Sequence, residues 1–543
     1  MTRFTPTVLL IVAVLVPPAR AERPPVDPAW TVDDGTPREV EPAGGDEADA
    51  GRGDEAAAEG EDDGFRYALH GYYRARAHVL GNVMYPLNPA DQRTQTLRYM
   101  TQRLRLEPEV GYGEWITLHV TLDLLDDVLW GDNAGLSTTP LFAGDPSRTR
   151  TSGEEAPWVY VRHAWIESNL PLGVLRVGRQ PSDWGLGLLS DDGDGFDDDF
   201  GDNHYGSTCD RLLFATKPIS IARAIAGLPS ADTPLILVVA WEKLVEDFLE
   251  QDEIRPPYDS GWLAGDDDDV DEWFLGLVWK QDGLDWFAET DALTAGYHFV
   301  YREQPSTSSQ VFIHDAFARL RLWDLFFEGE LYAIHGSTYA IPLGPEDPVT
   351  HLYPYKEADL LGWIARLGWS RWMFTAKAEA GYASGDADPA DGNFSGRAAA
   401  PDVNVGLILY EELLAERTRN AWVENEGMWS KGGVYNSWFL SFVGIVEPWP
   451  GLQLTLGVLT AWADEVCDPV YQGMECEFQD PDGHPNLGVE LDASVRYRFF
   501  RDHVLAVLEA GWLRPDAGAF NLGAARLEGT DLWTLQSRIA FTY

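Results

Sequence analysis

The chain has 543 residues, 40 basic against 88 acidic, a formal net charge of −48 and a mean hydropathy of −0.23. So acidic a chain is a poor ligand for nucleic acid, whose affinity for proteins rests on Lys and Arg against phosphate. Its 45% hydrophobic and 12% aromatic content, including 22 Trp, excludes wholesale disorder, because that much apolar surface fills a core or coats a membrane-facing wall.

Arg3 precedes an unbroken apolar stretch, Val8–Val16, and Ala19-Arg20-Ala21 places small residues where a signal peptidase reads. Residues 1–21 are therefore read as a cleaved secretory signal, and the absence of a following Cys argues against a lipid anchor. Nowhere else does an apolar run approach the roughly 18–20 residues of a spanning helix. Residues 22–64 hold 15 acidic and 3 basic side chains. Self-repulsion and the lack of apolar periodicity make them a disordered periplasmic linker. Residues 65–543 keep a net charge of −38, so most of the acid lies in the folded part.

From residue 66 onward the apolar period is two. In the first segment Tyr67, Leu69, Tyr73, Ala75 and Val79 alternate with His70, Arg74, Arg76 and His78. This is a strand with one wet face. Late in the chain Leu487, Leu491, Val495, Tyr497 and Phe499 stand against Glu490, Asp492, Arg496 and Arg498. The same reading predicts about eighteen strands: 66–80, 97–110, 114–125, 158–168, 173–180, 209–217, 234–246, 271–281, 285–303, 310–322, 325–337, 358–369, 371–384, 433–446, 451–463, 486–499, 504–514 and 531–543.

Connections after odd-numbered strands are mostly long and those after even-numbered strands mostly short, with 218–233 the exception. The last strand ends on the final residue, and Phe541 and Tyr543 resemble the aromatic terminal signal read by the barrel-assembly machinery. Even strand count, alternating short turns and long loops, and a wet inner face specify a transmembrane antiparallel β-barrel over 65–543. Short turns and both termini are expected on the periplasmic side of the outer membrane of a Gram-negative-type bacterium, and outer-membrane lipid on the outer wall. The competing architecture, a soluble sandwich or β-helix, needs a second apolar layer over faces that here carry Arg, Glu and Asp.

The site candidates are charged. Arginine pairs two apart share one strand face: Arg74/Arg76, Arg103/Arg105, Arg319/Arg321 and Arg496/Arg498, joined by Arg366, Lys377 and Arg538. Barrel closure sets the first strand beside the eighteenth, so strands sixteen, eighteen, one and two make a basic sector that attracts anions. Alternatively these arginines pair with Glu107, Glu109, Glu328, Glu330, Glu490 and Asp492 as struts of a filled lumen. Ser190–Asn203 (SDDGDGFDDDFGDN) spaces Asp192, Asp194, Asp197 and Asp199 as hard oxygen ligands that suit calcium on an extracellular loop. No Glu follows at the twelfth loop position, so it is not an EF-hand. Asp266–Asp269 is a second acidic run, and a solvated acidic loop is the alternative for both.

Cys467 and Cys476 fit a loop disulfide of an exported protein, leaving Cys209 as a buried or inert thiol. The long connection 385–432 includes Val405–Val423, where Leu409, Leu413 and Leu414 mark one helix face. It either folds inward to constrict the lumen or caps the barrel from outside. No GxSxG, HExxH, P-loop or GxGxxG occurs, so an enzyme is not expected and no cofactor is required.

The stretches TQRLRLEPEVGYGEWITLHVTLDLLDDVLWGDN and VRHAWIESNLPLGVLRVGRQPSDWGLGLL resemble alginate-export-type and related porin-like barrels, in their arginine strand, WGD-like loop and GxLRxGRQ…WG hairpin. An uncharacterised outer-membrane family of that style is the nearer likeness. The resemblance implies an eighteen-stranded channel. Alginate exporters have a strongly basic lumen, whereas the inward faces here mix Glu and Asp with Arg. The functional expectation is a passive channel for small or oligomeric hydrophilic solutes, anionic or saccharide. The alternative is a surface scaffold or adhesin with calcium-braced loops and a plugged lumen; a barrel-borne hydrolase comes third.

Overall fold

A computed structural model describes residues 64–84, 94–131, 159–196, 198–229, 231, 233–246, 270–305, 307–341, 347, 352–388, 391–415, 417–418, 430–466, 486–516, 519 and 531–543. Eighteen strands close into one antiparallel barrel. They are β1 (Phe65–Met84), β2 (Thr94–Tyr112), β3 (Ile116–Gly131), β4 (Val159–Leu170), β5 (Gly173–Ser182) and β6 (Ser207–Thr216). Then come β7 (Leu235–Glu246), β8 (Asp271–Asp282), β9 (Ala292–Gln304), β10 (Ser309–Leu322), β11 (Leu325–Thr338) and β12 (Lys356–Arg371). The last six are β13 (Phe374–Ala383), β14 (Ser437–Trp449), β15 (Leu452–Ala463), β16 (Asn486–Phe499), β17 (Val504–Pro515) and β18 (Leu532–Thr542). Each strand pairs with its sequence neighbours, and β1 closes on β18 with Tyr72 opposite Thr542 and Gly81 opposite Trp533. A two-residue strand, Asn393–Phe394, runs parallel to Glu357–Ala358 of β12 and stands apart from the wall.

The alternation works in the sense opposite to that of a soluble protein. On β11, Glu328 and Glu330 point inward and are buried, while Leu325, Phe327 and Leu331 point outward and are exposed. Leu275, Leu277, Leu361, Phe442, Leu456, Leu491, Leu508 and Ile539 continue the exposed apolar surface around the wall. Such a surface is stable only in lipid, where a closed sheet also satisfies every backbone group.

Aromatic side chains cluster where that surface ends. At the short turns Trp115, Trp286, Phe287, Trp323, Trp372 and Phe500 are all exposed. Trp323 and Trp372 hold φ of 57°, a left-handed conformation that glycine or asparagine adopts more cheaply. Arg371 stacks over both rings, at 5.5 and 5.0 Å. Indoles kept there at a backbone cost fit the headgroup level. At the loop end a second belt includes Trp273 stacked on Tyr301 and Trp438 stacked on Trp462. Leu325 to His335 spans about 33 Å of strand, or about 25 Å along the membrane normal at a tilt of roughly 40°.

Tyr543 seals the seam. Its N–H donates to the Gly71 carbonyl (3.1 Å) and its hydroxyl to the Arg105 carbonyl (2.9 Å). Gly71 has φ 143°, and a Cβ there would lie 2.2 Å from the Arg105 oxygen, so the joint of β1, β2 and β18 requires glycine.

Two expectations are corrected, and the long connection already set apart is explained. The ninth strand begins at Ala292 rather than 285, because the Asp291 carboxylate captures the N–H groups of Phe287 (2.6 Å) and Ala288 (3.0 Å) in a turn. The long connection 218–233 carries a helix, α1 (Pro218–Ile225), at the short-turn end. Leu487, expected on the outer face, is fully buried, because the register shifts between Ala461 and Trp462 and reverses its side. The signal segment, the linker up to residue 63, Asp266–Asp269 and the pair Cys467/Cys476 lie outside the described residues. Cys209 is a buried free thiol.

A charge on the outer face measures this arrangement. Leu331→Arg is expected to destabilise the folded barrel by about 2–4 kcal/mol, and Ser337→Arg, beyond the upper belt, by about 0–1 kcal/mol. Urea titration of the protein in lipid vesicles reads the difference.

Candidate functional site

The segment between β5 and β6 enters the lumen instead of leaving the barrel. Just past Ser182, the Trp184 indole N–H donates to Asp315 on β10 (3.1 Å) and the Leu186 N–H donates to Glu330 on β11. Arg319 of β10 donates to the Gly185 carbonyl. Farther on, Lys377 of β13 pairs with Asp199, and Arg496 of β16 donates to the Asp198 carbonyl (2.5 Å). Phe200 is buried against Gly457 on β15. A single segment that touches β10, β11, β13, β15 and β16 in turn must cross the lumen.

It ends in an arginine clasp. The Asp202 carboxylate, fully enclosed, meets Arg74 and Arg76 (3.2 Å) of β1 and Arg538 (2.6 Å) of β18. Arg74 also reaches the Asn203 carbonyl (3.1 Å) and His204 Nδ1 (3.0 Å), and Arg538 donates to the Gly201 carbonyl (2.8 Å). On β2, Arg103 donates to the His204 carbonyl (2.9 Å). Arg105 makes a two-point contact with Asp123 of β3 (2.7 and 2.9 Å) and lies 3.4 Å from Asp194. Burial alone would raise the Asp202 carboxyl. Arg538, Arg74 and Arg76 outweigh it and hold the group far below the usual carboxylate range. His204 is held well below the usual imidazole range, first by burial and then by Arg103, Arg74 and Arg76.

The long connection between β13 and β14 also folds inward and locks onto the first loop. Asp402 accepts hydrogen bonds from the N–H groups of His204 (2.6 Å), Tyr205 (3.0 Å) and Gly206 (2.7 Å), and Asn404 donates to Asp198 (2.8 Å). Glu490 of β16 accepts from the N–H groups of Leu407, Ile408 and Leu409, each at 2.7 Å. Those donors open a π-helical turn, Leu409–Leu414, so the carboxylate takes up amide groups that have no partner within the turn. Leu409 and Leu414 are fully buried there and Leu413 packs at the edge. Of the two placements open for this loop, the inward one is found.

The remaining sequence candidates divide. Arg366 binds Glu379 (2.6 Å) and Glu328 (2.9 Å) within the wall. Arg321 and Arg498 stand near the turn ends of β10 and β16. The acidic segment Ser190–Asn203 is not an outer loop: Asp194 and Asp199 face Arg105 and Lys377, and Asp192 accepts the N–H of Asp194 (2.8 Å). Asp197 lies outside the described residues. Among those described, no group of three or more His, Cys, Asp or Glu side chains is arranged to hold a metal ion.

Sequence reasoning missed Arg162, which is fully buried and donates to the Tyr205 carbonyl. The register shifts between Thr121 and Leu122, so Arg162 is the extra residue of a bulge and falls out of phase. Asp402, whose three amide partners lie nearly two hundred residues away, carried no local signal.

The two loops divide the described lumen into cavities. One of about 90 Å³ borders Arg76, Asp202 and Lys431; one of about 100 Å³ borders Trp184 and His298; one of about 90 Å³ borders Asp199, Arg366 and Lys377.

No protein-family model matches the chain, and no curated protein matches it. Among solved structures it is similar to the outer membrane protein OpdK from Pseudomonas aeruginosa, at 12% identity and a TM-score of 0.44, over 88% of this chain and 98% of that one. OccK8 (OprE) of the same organism is similar at 9% identity and 0.45, over 88% and 98%. OpdK with vanillate is similar at 12% and 0.44, again over 88% and 98%. Likeness of this degree carries nothing about what enters the lumen.

Burial pushes the Asp198 carboxyl up to about 7, with Asn404 and Arg496 opposing and Asp199 and Asp402 adding to the rise. An exposed aspartate titrates near 3.9, so docking of the loop takes up a proton. Its stability is full below about pH 4, falls as the pH rises and levels off above about pH 7. Asp202 has the opposite sign, and its contribution is lost only on acidification below the ordinary carboxylate value. The protection factors of residues 198–206, taken against the intrinsic exchange rate at each pH, are expected to fall between pH 4 and 7, and Asp198→Asn to flatten that profile.

Proposed function

We propose that this chain is an outer-membrane channel of porin type, with a constricted lumen that favours anionic hydrophilic solutes. One observation carries the reading: Arg74, Arg76 and Arg538, from two adjacent strands across the seam, converge on one carboxylate, that of Asp202. Arg103, Arg105 and Arg162 extend the basic surface along the neighbouring wall. The loop's aspartate occupies the position an anion drawn along this sector would take, so the wall is built to hold carboxylate-like charge. The apolar outer face and the two aromatic belts support placement in a membrane.

The crossing loops and the small volumes beside them favour a second reading, a barrel whose lumen is closed and whose work is done at its surface. Conductance separates the two. Purified, folded protein in planar bilayers under a salt gradient is expected to give stable channels with an anion-directed reversal potential. Folded, inserted and silent protein leaves the second reading.

The arginines can be tested within the same measurement. Arg74→Glu with Arg76→Glu is expected to lower the chloride-to-potassium permeability ratio by about tenfold. Asp202→Asn, which frees three guanidinium groups, is expected to raise it. Unchanged reversal potentials in both would reduce the clasp to a brace.

A further inference from the structure

The cavity beside Trp184 lies away from the arginine clasp, against β6 to β10, and its chemistry differs. Its charges balance three against three: Arg211 donates to Glu242, Arg302 lies 2.5 Å from Glu272, and Asp183 and Arg397 line the same cavity. On the wall of this cavity stands His298 of β9, buried to 4% exposure, whose two ring nitrogens have no hydrogen-bond partner among the described residues. Rings of Trp184 and Phe274 pack against it at 4.7 and 5.1 Å, which fixes its orientation without satisfying its nitrogens. A buried polar atom left unpaired is costly, so a partner that enters the cavity gains what the protein leaves unmade.

We propose that this cavity binds the hydroxyl groups of a small neutral polyol or of the edge of a sugar. A neutral imidazole offers one donor and one acceptor. A carboxylate satisfies only the first and an ammonium group only the second, whereas hydroxyl groups satisfy both. The ion pairs lead to the same class. A net charge would unbalance Arg211–Glu242 and Arg302–Glu272, while a hydroxyl accepts from a guanidinium and donates to a carboxylate. Trp184 and Phe274, set at 74° to each other, and the aliphatic side chains of Leu213 and Val238 supply surface for the C–H faces of such a ligand. At about 100 Å³ the space is somewhat smaller than a cavity of about 150 Å³ that takes benzene. It therefore admits a molecule the size of glycerol, or part of a pyranose. As a stage in passage the site rests on the channel reading; as a binding site it does not.

The test is titration calorimetry of the full-length, detergent-folded protein with glycerol, glucose and acetate at matched ionic strength. Saturable heat is expected with a neutral ligand and none with acetate. Saturation by glycerol alone identifies a short polyol, and tighter saturation by glucose a sugar. His298→Leu is expected to weaken the neutral ligand by about tenfold or more, and His298→Gln, which keeps a donor and an acceptor, by less than about threefold. Glu242→Gln checks the charge argument independently of His298: it strands Arg211 and is expected to create saturable acetate binding. Absence of heat with both neutral ligands, equal affinity in His298→Leu, or acetate saturating the unaltered protein would overturn the proposal, as would Glu242→Gln without acetate binding. Calorimetry reads the site whether or not the lumen conducts. A silent barrel that binds glycerol or glucose removes the channel reading and keeps the site, and a conducting barrel without heat does the reverse.

Discussion

Charge buried in a narrow lumen must be compensated there, and most of what is particular to this barrel follows from that constraint. Inward-facing Arg74, Arg103, Arg105 and Arg162 are almost wholly removed from solvent. An isolated charge in that position is prohibitively costly, and a pair is tolerable only with good geometry and further hydrogen bonds. The wall supplies part of the compensation, as in Arg105 with Asp123 and Arg366 with Glu379 and Glu328. The rest comes from an acidic loop drawn in from the rim, whose Asp202 sits where three guanidinium groups meet.

The same logic runs with the signs exchanged. Wall carboxylates without a cation among the described residues hold backbone amides instead: Glu330 takes the Leu186 N–H, and Glu490 takes three successive amides at the π-helical turn. Asp402 then ties one loop to the other through three amides of the first. A loop in a water-filled pore would have little reason to stay put, because solvent competes for each of these groups. Here a charged wall and a polar backbone satisfy each other, and an apolar cluster around Leu409, Leu414, Tyr332 and Phe439 removes the water that would compete. The inner surface is consequently neither a uniform basic ladder nor a uniform strut network. It is a basic sector held by a loop carboxylate, set apart from a charge-balanced cavity lined by aromatics.

The wall was legible along the chain because a strand with one lipid face and one inner face writes its own period of two. All eighteen segments could be placed from that alternation, most within three residues of where they lie. Legibility failed where the period breaks for local reasons. A bulge moved Arg162 out of phase, another turned Leu487 inward, and the Asp291 turn shortened β9. Arg74, Arg76, Arg103, Arg105, Arg496 and Arg538 were identifiable as inward-facing because each shares parity with its strand's polar face. Their partners were not. Asp202 sits within a segment whose spacing suits a cation in open water, and nothing near it in sequence says that arginines more than a hundred residues away will claim it.

The sequence alone therefore determined the barrel, its strand number, its lipid and inner faces, and the sector where arginines gather. Each of these is a consequence of short-range alternation and of the rule that a sheet in lipid must close. Which loops enter the lumen, which carboxylate meets which guanidinium, and where a balanced cavity remains were decided only by the tertiary structure. These depend on distances between groups far apart in the chain, and charges attract according to their separation in space, which alternation along a strand does not encode.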